Sequence, residues 1–236
     1  VKVLLAAKAN VNTVDKSGLT PLNKAAYKGH SEVLKILVRH GADMNKRCGG
    51  QTALSTATSR GHLGAVRVLL AARADIMIAN DDGRGLLQTA AMKGSTEIID
   101  IFLRTDIDVN YRSENGPTAL STAAYFNRSA AAEKLLVAKA DINLVDDKGH
   151  GALQVAAERG NVAVMDVLIE AGANIDQLTR SGLTALTLAA YYGHTDAVDM
   201  LIAAKADVNK RAPDGNGALM FAAWKGFSSI VEALLK

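Results

Sequence analysis

Five histidines and one cysteine are the residues of this 236-residue sequence whose chemistry best suits metal binding or nucleophilic catalysis. His30, His62 and His194 occupy one recurring position, directly after a glycine, where an imidazole more commonly packs or caps a turn than binds a metal. Structural zinc sites use Cys and His ligands at short spacings, and no such spacing occurs here. Cys48 has no activating neighbour in the sequence. We therefore predict no metal, no cofactor and no nucleophilic cysteine.

Acidic pairs are the other candidates for chemistry, because two opposed carboxylates can act as general acid and base. Asp81–Asp82 and Asp146–Asp147 each lie in a polar stretch that contains turn-forming residues, which favours a role in shaping a solvated turn. Neither pair indicates a substrate held between carboxylates. The sequence therefore predicts a protein that is not an enzyme and that takes no small-molecule substrate.

Charge and hydropathy bound the classes of partner. The chain carries 27 basic and 24 acidic residues, with a formal net charge of +3. These charges form no sustained basic stripe, so no nucleic-acid partner is predicted. No apolar run approaches the roughly 18 to 20 residues that span a bilayer, and no signal-peptide pattern opens the sequence. A single cysteine suits a reducing compartment, so we expect a cytoplasmic location, with the nucleus as the alternative.

An internal repeat positions the candidate residues. Two independent series of residues with the same period show this repeat. A turn glycine recurs every 32 or 33 residues, and a leucine follows each glycine four residues later. The glycines are Gly18, Gly50, Gly83, Gly116, Gly149, Gly182 and Gly215. A second apolar series has the same period: Val11, Met44, Ile76, Val109, Ile142, Ile175 and Val208. Because a period of this length is typical of stacked helical units, the chain is predicted to be a repeat array.

One unit reads as a helix-turn-helix. Thr20 and Pro21 are typical of a helix N-cap and first turn. Gly29 ends this short first helix, and the apolar residues within 33–38 have the spacing of a second helix. Residues 41–45 then lead into a polar stretch that favours an extended turn or a β-hairpin.

The order Gly-x-Thr-(Pro/Ala)-Leu, Ala-Ala-x-x-Gly-His, Leu-Leu and (Gly/Lys)-Ala-Asp-Val-Asn resembles the ankyrin repeat over essentially the whole chain. The resemblance implies an all-α solenoid of stacked helix-turn-helix units with β-hairpin or loop projections, in a single domain over residues 1–236. We expect a partial repeat at 1–14, full repeats starting near 15, 47, 80, 113, 146 and 179, and a truncated last repeat at 212–236. This segmentation suggests a fragment of a longer array.

Two departures from the family pattern carry expectations of their own. The histidine that often follows Thr-Pro-Leu in the family is absent here. The hydrogen-bonded bridge that its side chain usually makes is therefore not expected. The place of this histidine holds Asn23, Ser55, Gln88, Ser121, Gln154, Thr187 and Met220. The glycine favoured after the second helix is replaced by Arg73, Asp106, Lys139 and Lys205, and we expect these residues to take a left-handed backbone at a cost of about 1 kcal/mol each.

The repeats also alternate in kind. Residues 52–57 and 118–123 share the sequence Thr-Ala-Leu-Ser-Thr-Ala, whereas the units between begin with Gly85, Gly151 and Gly217 in place of the threonine. This pattern indicates duplication of a two-repeat unit. Glycine is only a few tenths of a kcal/mol worse than threonine as an N-cap, so we expect little energetic consequence from the alternation alone.

The resemblance implies a concave face lined by first helices and hairpin tips, where a partner protein would bind. Six of the chain's ten aromatic residues fall in the two positions after each Ala-Ala pair, and these are residue types enriched in protein interfaces. We predict partner-binding residues at Tyr27, Arg60, Met92, Tyr125, Phe126, Arg159, Tyr191, Tyr192 and Trp224, with Tyr111, Arg112 and Arg180 at the tips.

We therefore expect a monomeric, non-catalytic scaffold for a protein partner that the sequence does not identify. Two alternatives stay open. The aromatic residues can instead pack against neighbouring repeats, which would make the chain a structural spacer within a long array. The array can also be the substrate-recruiting region of a larger enzyme or channel.

Overall fold

The structure is a computed structural model that describes residues 9–112 and 116–236. Within these ranges the chain forms helices joined in pairs, as the sequence predicted. The helices are α1 (Pro21–Lys28), α2 (Ser31–Arg39), α3 (Ala53–Arg60), α4 (Leu63–Ala71), α5 (Leu86–Lys93), α6 (Thr96–Phe102), α7 (Ala119–Tyr125), α8 (Ser129–Val137), α9 (Ala152–Arg159), α10 (Val162–Glu170), α11 (Ala185–Tyr192), α12 (Thr195–Ala203), α13 (Ala218–Lys225) and α14 (Ser228–Leu234). The predicted all-α stack of helical hairpins is confirmed, and no described helix is long and apolar enough to cross a membrane.

The first helix of each pair begins and ends where the sequence signals predicted. In α1 the hydroxyl of Thr20 accepts the backbone N–H of Asn23 at 3.1 Å, which satisfies an N–H that has no partner within the helix. Gly29 then ends the helix with a φ of 71°, and the N–H of His30 donates to the carbonyl of Ala25. Since an L side chain is strained at this φ, a glycine here turns the chain directly into the second helix.

The alternation between repeats changes how the first helix is capped, and α9 shows one replacement for the missing threonine hydroxyl. Helices α5 and α13, which also follow a glycine, have no side-chain hydrogen bond at the N-cap. Gly151 has no side chain to cap α9, and Gln154 accepts its N–H through Oε1 at 3.2 Å. The same Gln154 donates from Nε2 to the carbonyl of Gln177, in the loop that leads into the next repeat, at 2.9 Å. A Cβ on residue 151 would lie 3.0 Å from that Oε1. Glycine therefore makes room for an amide that joins two repeats, and bridging survives at the position where the family often has histidine.

Each of two compact units, Val1–Asp108 and Val109–Lys236, has its own buried core. In unit 1 the largest fully buried side chain is Phe102 of α6. In unit 2 Met165 and Leu168 of α10 are equally inaccessible. The Ala-Ala pairs of the first helices are buried in both units apart from Ala223 of α13, which is exposed, and their small side chains let neighbouring helices approach closely. The single domain expected over residues 1–236 stays a prediction.

The projections between helical pairs are tight loops whose described residues contain only two isolated β-bridges, Cys48 with Gln51 and Arg211 with Gly217. Successive loops are joined by a ladder of hydrogen bonds, in which a side-chain oxygen of one loop accepts a backbone N–H from the next. The rungs are Asn12 to Asp43, Asn45 to Asp75, Asn110 to Asp141, Asn143 to Asn174 and Asp176 to Asp207, at 2.8–3.2 Å. Polar loops thus contribute to repeat stacking.

Left-handed residues follow three of the second helices, as the departures from the repeat pattern predicted. Arg73, Lys139 and Lys205 have φ values of 62°, 64° and 66°. The expectation was wrong for Asp106, which is not among the residues with positive φ. Helix α6 already ends at Phe102, and Thr105 closes the following turn by donating both its N–H and its hydroxyl to the Phe102 carbonyl. The early stop removes the need for a left-handed residue four positions after Phe102.

Replacing Lys139 by glycine is expected to raise the free energy of unfolding by about 1 kcal/mol, since glycine lacks the Cβ that is strained at a φ of 64°. Urea unfolding followed by circular dichroism measures the change. Glu133→Gly is the matched control, because this exposed residue lies inside α8, where glycine should lower stability by about 1 kcal/mol. A lower midpoint for Lys139→Gly with an unchanged spectrum would contradict the assigned backbone conformation.

Candidate functional site

The C-terminal ends of the first helices place their last side chains outside the core. In α11 the pair Ala189 and Ala190 is fully buried, Tyr191 is half-buried, and Tyr192 is exposed. Gly193 then ends the helix with a φ of 81°. Because the buried alanines fix the rotation of the helix, the two residues that follow them emerge together at its end.

In unit 1 this position holds Tyr27, Arg60 and Met92. The guanidinium carbon of Arg60 lies 3.9 Å from the centroid of the Tyr27 ring, a cation–π contact between neighbouring repeats. Met92 is half-buried, and its sulfur lies 3.5 Å from Nη1 of Arg84, a residue of the preceding loop. Loop and helix end therefore meet on the same side of the repeat.

In unit 2 the equivalent residues form two groups of ring contacts, one around Tyr125 and one around Tyr191. Tyr125 and Phe126 pack edge to face at 4.9 Å between centroids, and the guanidinium of Arg159 lies 4.6 Å from the Tyr125 ring. Tyr191 contacts Tyr192 at 5.0 Å within its own helix. We name the rings of Tyr125, Phe126, Tyr191, Tyr192, Phe221 and Trp224 the aromatic face.

Tyr191 also reaches the next repeat. Its centroid lies 5.3 Å from that of Phe221 and 6.3 Å from that of Trp224, both on α13. Sequence reasoning missed Phe221, although its place three residues before Trp224 puts it on the same side of the helix. The helical spacing was the signal that could have found it.

Exposure separates the packed rings from those open to solvent. Trp224 is 72% exposed, Tyr192 47%, Tyr125 44% and Phe126 38%. Tyr191 is half-buried between its neighbours. Large rings left in water lose the stabilisation that burial would give them, roughly 25 cal/mol for each Å² of apolar surface. The aromatic face thus combines one packing ring with several rings available for contact.

One ionisable residue of this face has a shifted pKa. Partial burial raises the pKa of the Tyr192 hydroxyl, and the neighbouring carboxylate of Glu158 raises it further. Oε2 of Glu158 also lies 4.0 Å from Nδ1 of His150. A raised pKa keeps the phenol protonated at neutral pH, so Tyr192 can donate a hydrogen bond but is not a nucleophile.

The repeated histidines hold neighbouring repeats together. Nε2 of His62 lies 3.0 Å from the carbonyl oxygen of Tyr27, and Nε2 of His194 lies 3.0 Å from that of Glu158. Asn161 takes the same place in α10's repeat and donates to the carbonyls of Ala124 and Tyr125. Packing between repeats is confirmed for His62 and His194, whereas neither side chain caps the second helix that follows it. Within the described ranges no three His, Cys, Asp or Glu residues gather as metal ligands.

The tip residues predicted from the sequence lie in different surroundings. The Arg112 guanidinium donates to Oδ1 of Asp147 at 2.8 Å and to the Val145 carbonyl, both in the next repeat. Arg180 is exposed, and its backbone N–H donates to the carbonyl of Lys148. Tyr111 is half-buried.

The acidic pairs divide between two structural roles. Asp146 shapes its turn, as predicted, by accepting the N–H groups of Lys148 and His150 at 2.9 and 2.8 Å. Asp147 instead pairs with Arg112, and Asp81 pairs in the same way with Arg47 of the preceding loop. Sequence reasoning did not foresee these ion pairs, because the two partners lie one repeat apart.

Comparison with protein families gives a match along the whole chain. A family model described as ankyrin repeats in three copies matches residues 1–80, 71–146, 123–212 and 153–236. Among curated proteins, mouse protein phosphatase 1 regulatory subunit 27 is 39% identical over 83 residues, which cover 35% of this chain and 54% of that protein. The Drosophila melanogaster ankyrin repeat and KH domain-containing protein mask is 40% identical over 86 residues, 35% of this chain but 2% of that protein.

Solved structures of similar fold cover nearly all of the chain. The human ASB11 ankyrin repeat domain has a TM-score of 0.84 at 25% identity, over 92% of this chain and 97% of that one. The ankyrin repeat domain of Bcl-3 has a TM-score of 0.80 at 26% identity, over 94% and 100% of the two chains. The likeness therefore extends through the repeats, whereas the curated relatives share only part of their length with this chain.

Proposed function

Since this chain belongs to the ankyrin repeat family, whose members generally mediate protein–protein interaction, we propose that it is a non-catalytic scaffold that binds a partner protein. The binding surface is formed by the ends of the first helices, with neighbouring loop residues at its margin. The family fold is typically an interaction domain rather than a catalytic one. A reducing cytoplasmic or nuclear compartment fits a chain whose single cysteine, Cys48, is free and buried.

The observation that carries this proposal is the exposed aromatic face of unit 2. Trp224, Tyr192, Tyr125 and Phe126 all remain open to solvent at equivalent helix ends. Tyrosine and tryptophan are the residues most enriched among those that dominate binding energy in protein interfaces. Rings clustered on one side of successive repeats supply the rigid apolar anchors that such an interface needs.

A triple variant tests the proposal. We expect Tyr125→Ala, Tyr191→Ala and Trp224→Ala together to abolish capture of specific partners from cell extract, measured by quantitative mass spectrometry against the unaltered chain. The matched control replaces three exposed apolar residues outside the aromatic face by alanine. These are Val14, Met77 and Val137. Capture that is unaffected by the first triple variant, or lost equally in both, would contradict the proposed binding face.

A structural spacer is the second candidate, and the contacts of Tyr191 with Phe221 and Trp224 favour it. If the rings only pack, the triple variant should lower the unfolding midpoint broadly and leave every captured protein in place. If they bind, the loss of capture should accompany a small change in midpoint. Measuring both quantities on one preparation separates the two functions.

Some relatives combine this kind of repeat with other activities. The Arabidopsis thaliana E3 ubiquitin-protein ligase XBAT33 is 44% identical over 63 residues, which cover 12% of that protein. By analogy, the chain described here can also serve as the recruiting region of a larger enzyme. In that role its own residues would still do no more than bind.

A further inference from the structure

Two exposed cations lie over rings of the aromatic face of unit 2. The exposed Lys225 ammonium lies 4.4 Å from the centroid of the Tyr191 ring and 4.7 Å from that of Trp224. The exposed Arg159 guanidinium lies over Tyr125 in the same manner. Each cation thus covers a ring while its charge faces solvent.

The loops beside this face add further cations. Lys148, Arg180 and Arg211 are exposed and Lys210 is half-buried. The loop that holds Lys148 lies on the side of the aromatic face, because its His150 reaches Glu158, the residue next to Arg159, and the other loops are its equivalents in the following repeats. Within the described part of the chain, none of these four side chains makes an ion pair with an acidic residue.

The acidic residues of the same region are already engaged. Asp147 is paired with Arg112, and Asp146 accepts two backbone N–H groups of its own turn. Asp214 accepts the N–H and the side-chain amide of Asn216, and these hydrogen bonds hold the pKa of Asp214 below its ordinary value. Glu158 lies beside His150 and Tyr192. A hydrogen-bonded carboxylate keeps its charge, but these four acidic residues are fewer than the nearby cations, so the named groups are together net positive. The seven cations are Arg112, Lys148, Arg159, Arg180, Lys210, Arg211 and Lys225.

We propose that the aromatic face of unit 2 binds an extended segment of the partner in which acidic residues flank a bulky apolar side chain. The apolar side chain lies against Trp224 and Tyr192, and the carboxylates meet Arg180, Lys210 and Lys225. This inference rests on the proposed function and adds the chemistry of the bound segment. Charge complementarity of this kind speeds association and selects among partners.

A peptide suits this surface better than a single-stranded nucleic acid. Bases bind such proteins by stacking on open ring faces. Here one face of the Tyr125 ring is covered by Arg159, and Lys225 covers one face each of Tyr191 and Trp224. Three of the ring pairs also meet edge to face, and Tyr191 and Trp224 are tilted by 34°, so these rings do not form a row of parallel platforms.

Trp224 provides the readout, since it is the chain's only tryptophan and is largely exposed. The probes are a synthetic peptide of alternating Glu, Phe and Gly, its twins with Gln or Lys in place of Glu, and oligothymidylate of the same length. We expect the Glu peptide to shift Trp224 emission to the blue and to bind at least about tenfold more tightly than the Gln twin. Added salt should weaken this binding.

A charge-reversal variant assigns the preference to specific residues. Arg180→Glu combined with Lys210→Glu should reduce affinity for the Glu peptide by at least about tenfold and favour the Lys twin. The control carries the same charge change on exposed residues of second helices in unit 1, Arg39→Glu with Arg67→Glu, and should bind as the unaltered chain does. Both variants should unfold at the same midpoint.

The outcomes that overturn the inference are distinct from failure of the proposed function. The inference is overturned if the Glu and Gln peptides bind with equal affinity or if oligothymidylate binds more tightly than the Glu peptide. It is also overturned if the Glu peptide causes no blue shift or if both charge variants lose affinity equally. The triple alanine variant is measured in parallel. If that variant alone loses partner capture while acidic peptides show no preference, the scaffold function stands and the acidic specificity fails.

Discussion

Replacing Phe102 by alanine should lower the free energy of unfolding by about 3–5 kcal/mol, the largest change expected from one substitution in this chain. The ring is completely buried in unit 1 at the end of α6. Its removal takes a large apolar side chain from the core and leaves a cavity, because the surrounding helices relax only in part. The backbone carbonyl of Phe102, which accepts both hydrogen bonds from Thr105, is retained in the alanine variant, so the expected loss comes from the side chain alone.

Urea unfolding measured by circular dichroism gives the magnitude, and amide hydrogen exchange gives the location. The contacts of a repeat are mainly with its neighbours, so protection should fall first in α5 and α6. Phe126→Ala is the control, because that ring is partly exposed, and it should cost less than about 1.5 kcal/mol. Equal costs for the two phenylalanines would show that burial does not determine stability in this array.

Replacing Gly149 by alanine is expected to lower the free energy of unfolding by about 2–4 kcal/mol, through two separable effects. Its φ of 77° strains any L side chain by about 1–2 kcal/mol. A Cβ there would also lie 2.6 Å from the backbone nitrogen of Arg180 in the next loop. That nitrogen donates to the Lys148 carbonyl, so a shift to relieve the clash would break a hydrogen bond between repeats, which adds about 1–2 kcal/mol.

Gly215→Ala is the matched control for this substitution. Gly215 has a φ of 84° but no atom within 4 Å of the position of its missing Cβ. Its alanine variant should show only the cost of backbone strain, and the difference between the two variants in thermal or urea unfolding measures the clash. If both variants lose the same stability, the loop pairing at Lys148 and Arg180 is looser than the structure indicates.

The helical hairpins could be predicted from the sequence because each depends on local signals. Thr20 and Gly29 fix the ends of a first helix through hydrogen bonds that span only a few residues. The repeat period then extends the same prediction along the chain. Exposure at the aromatic face also followed from this logic, because Tyr192 comes directly after two buried alanines.

The contacts that sequence reasoning missed are made with neighbouring loops. The pairing of Arg112 with Asp147 and the bridge from Gln154 to Gln177 each need the position of a neighbouring loop. The repeat period predicts where the backbone of that loop lies, but it does not predict which side chain of the neighbouring repeat contacts the loop. The prediction of a left-handed backbone at Asp106 was wrong for a different reason, because α6 ends early at Phe102 and the number of residues in the following turn changes. A uniform period does not reveal such a local shift.

The ion pairs between loops constrain how the number of repeats can change during evolution. Recombination that deletes one 33-residue unit after Arg112 would bring Arg180 to the place of Asp147, and an attraction would become a repulsion. Deleting two units after Arg47 would bring Asp147 to the place of Asp81, so the pair would be conserved. Deleting one unit after Arg47 would bring Glu114 to the place of Asp81 and keep the attraction. The charges at each junction, and not an even number of units, therefore decide which deletions are favoured, at about 0.2–1 kcal/mol for each exposed pair.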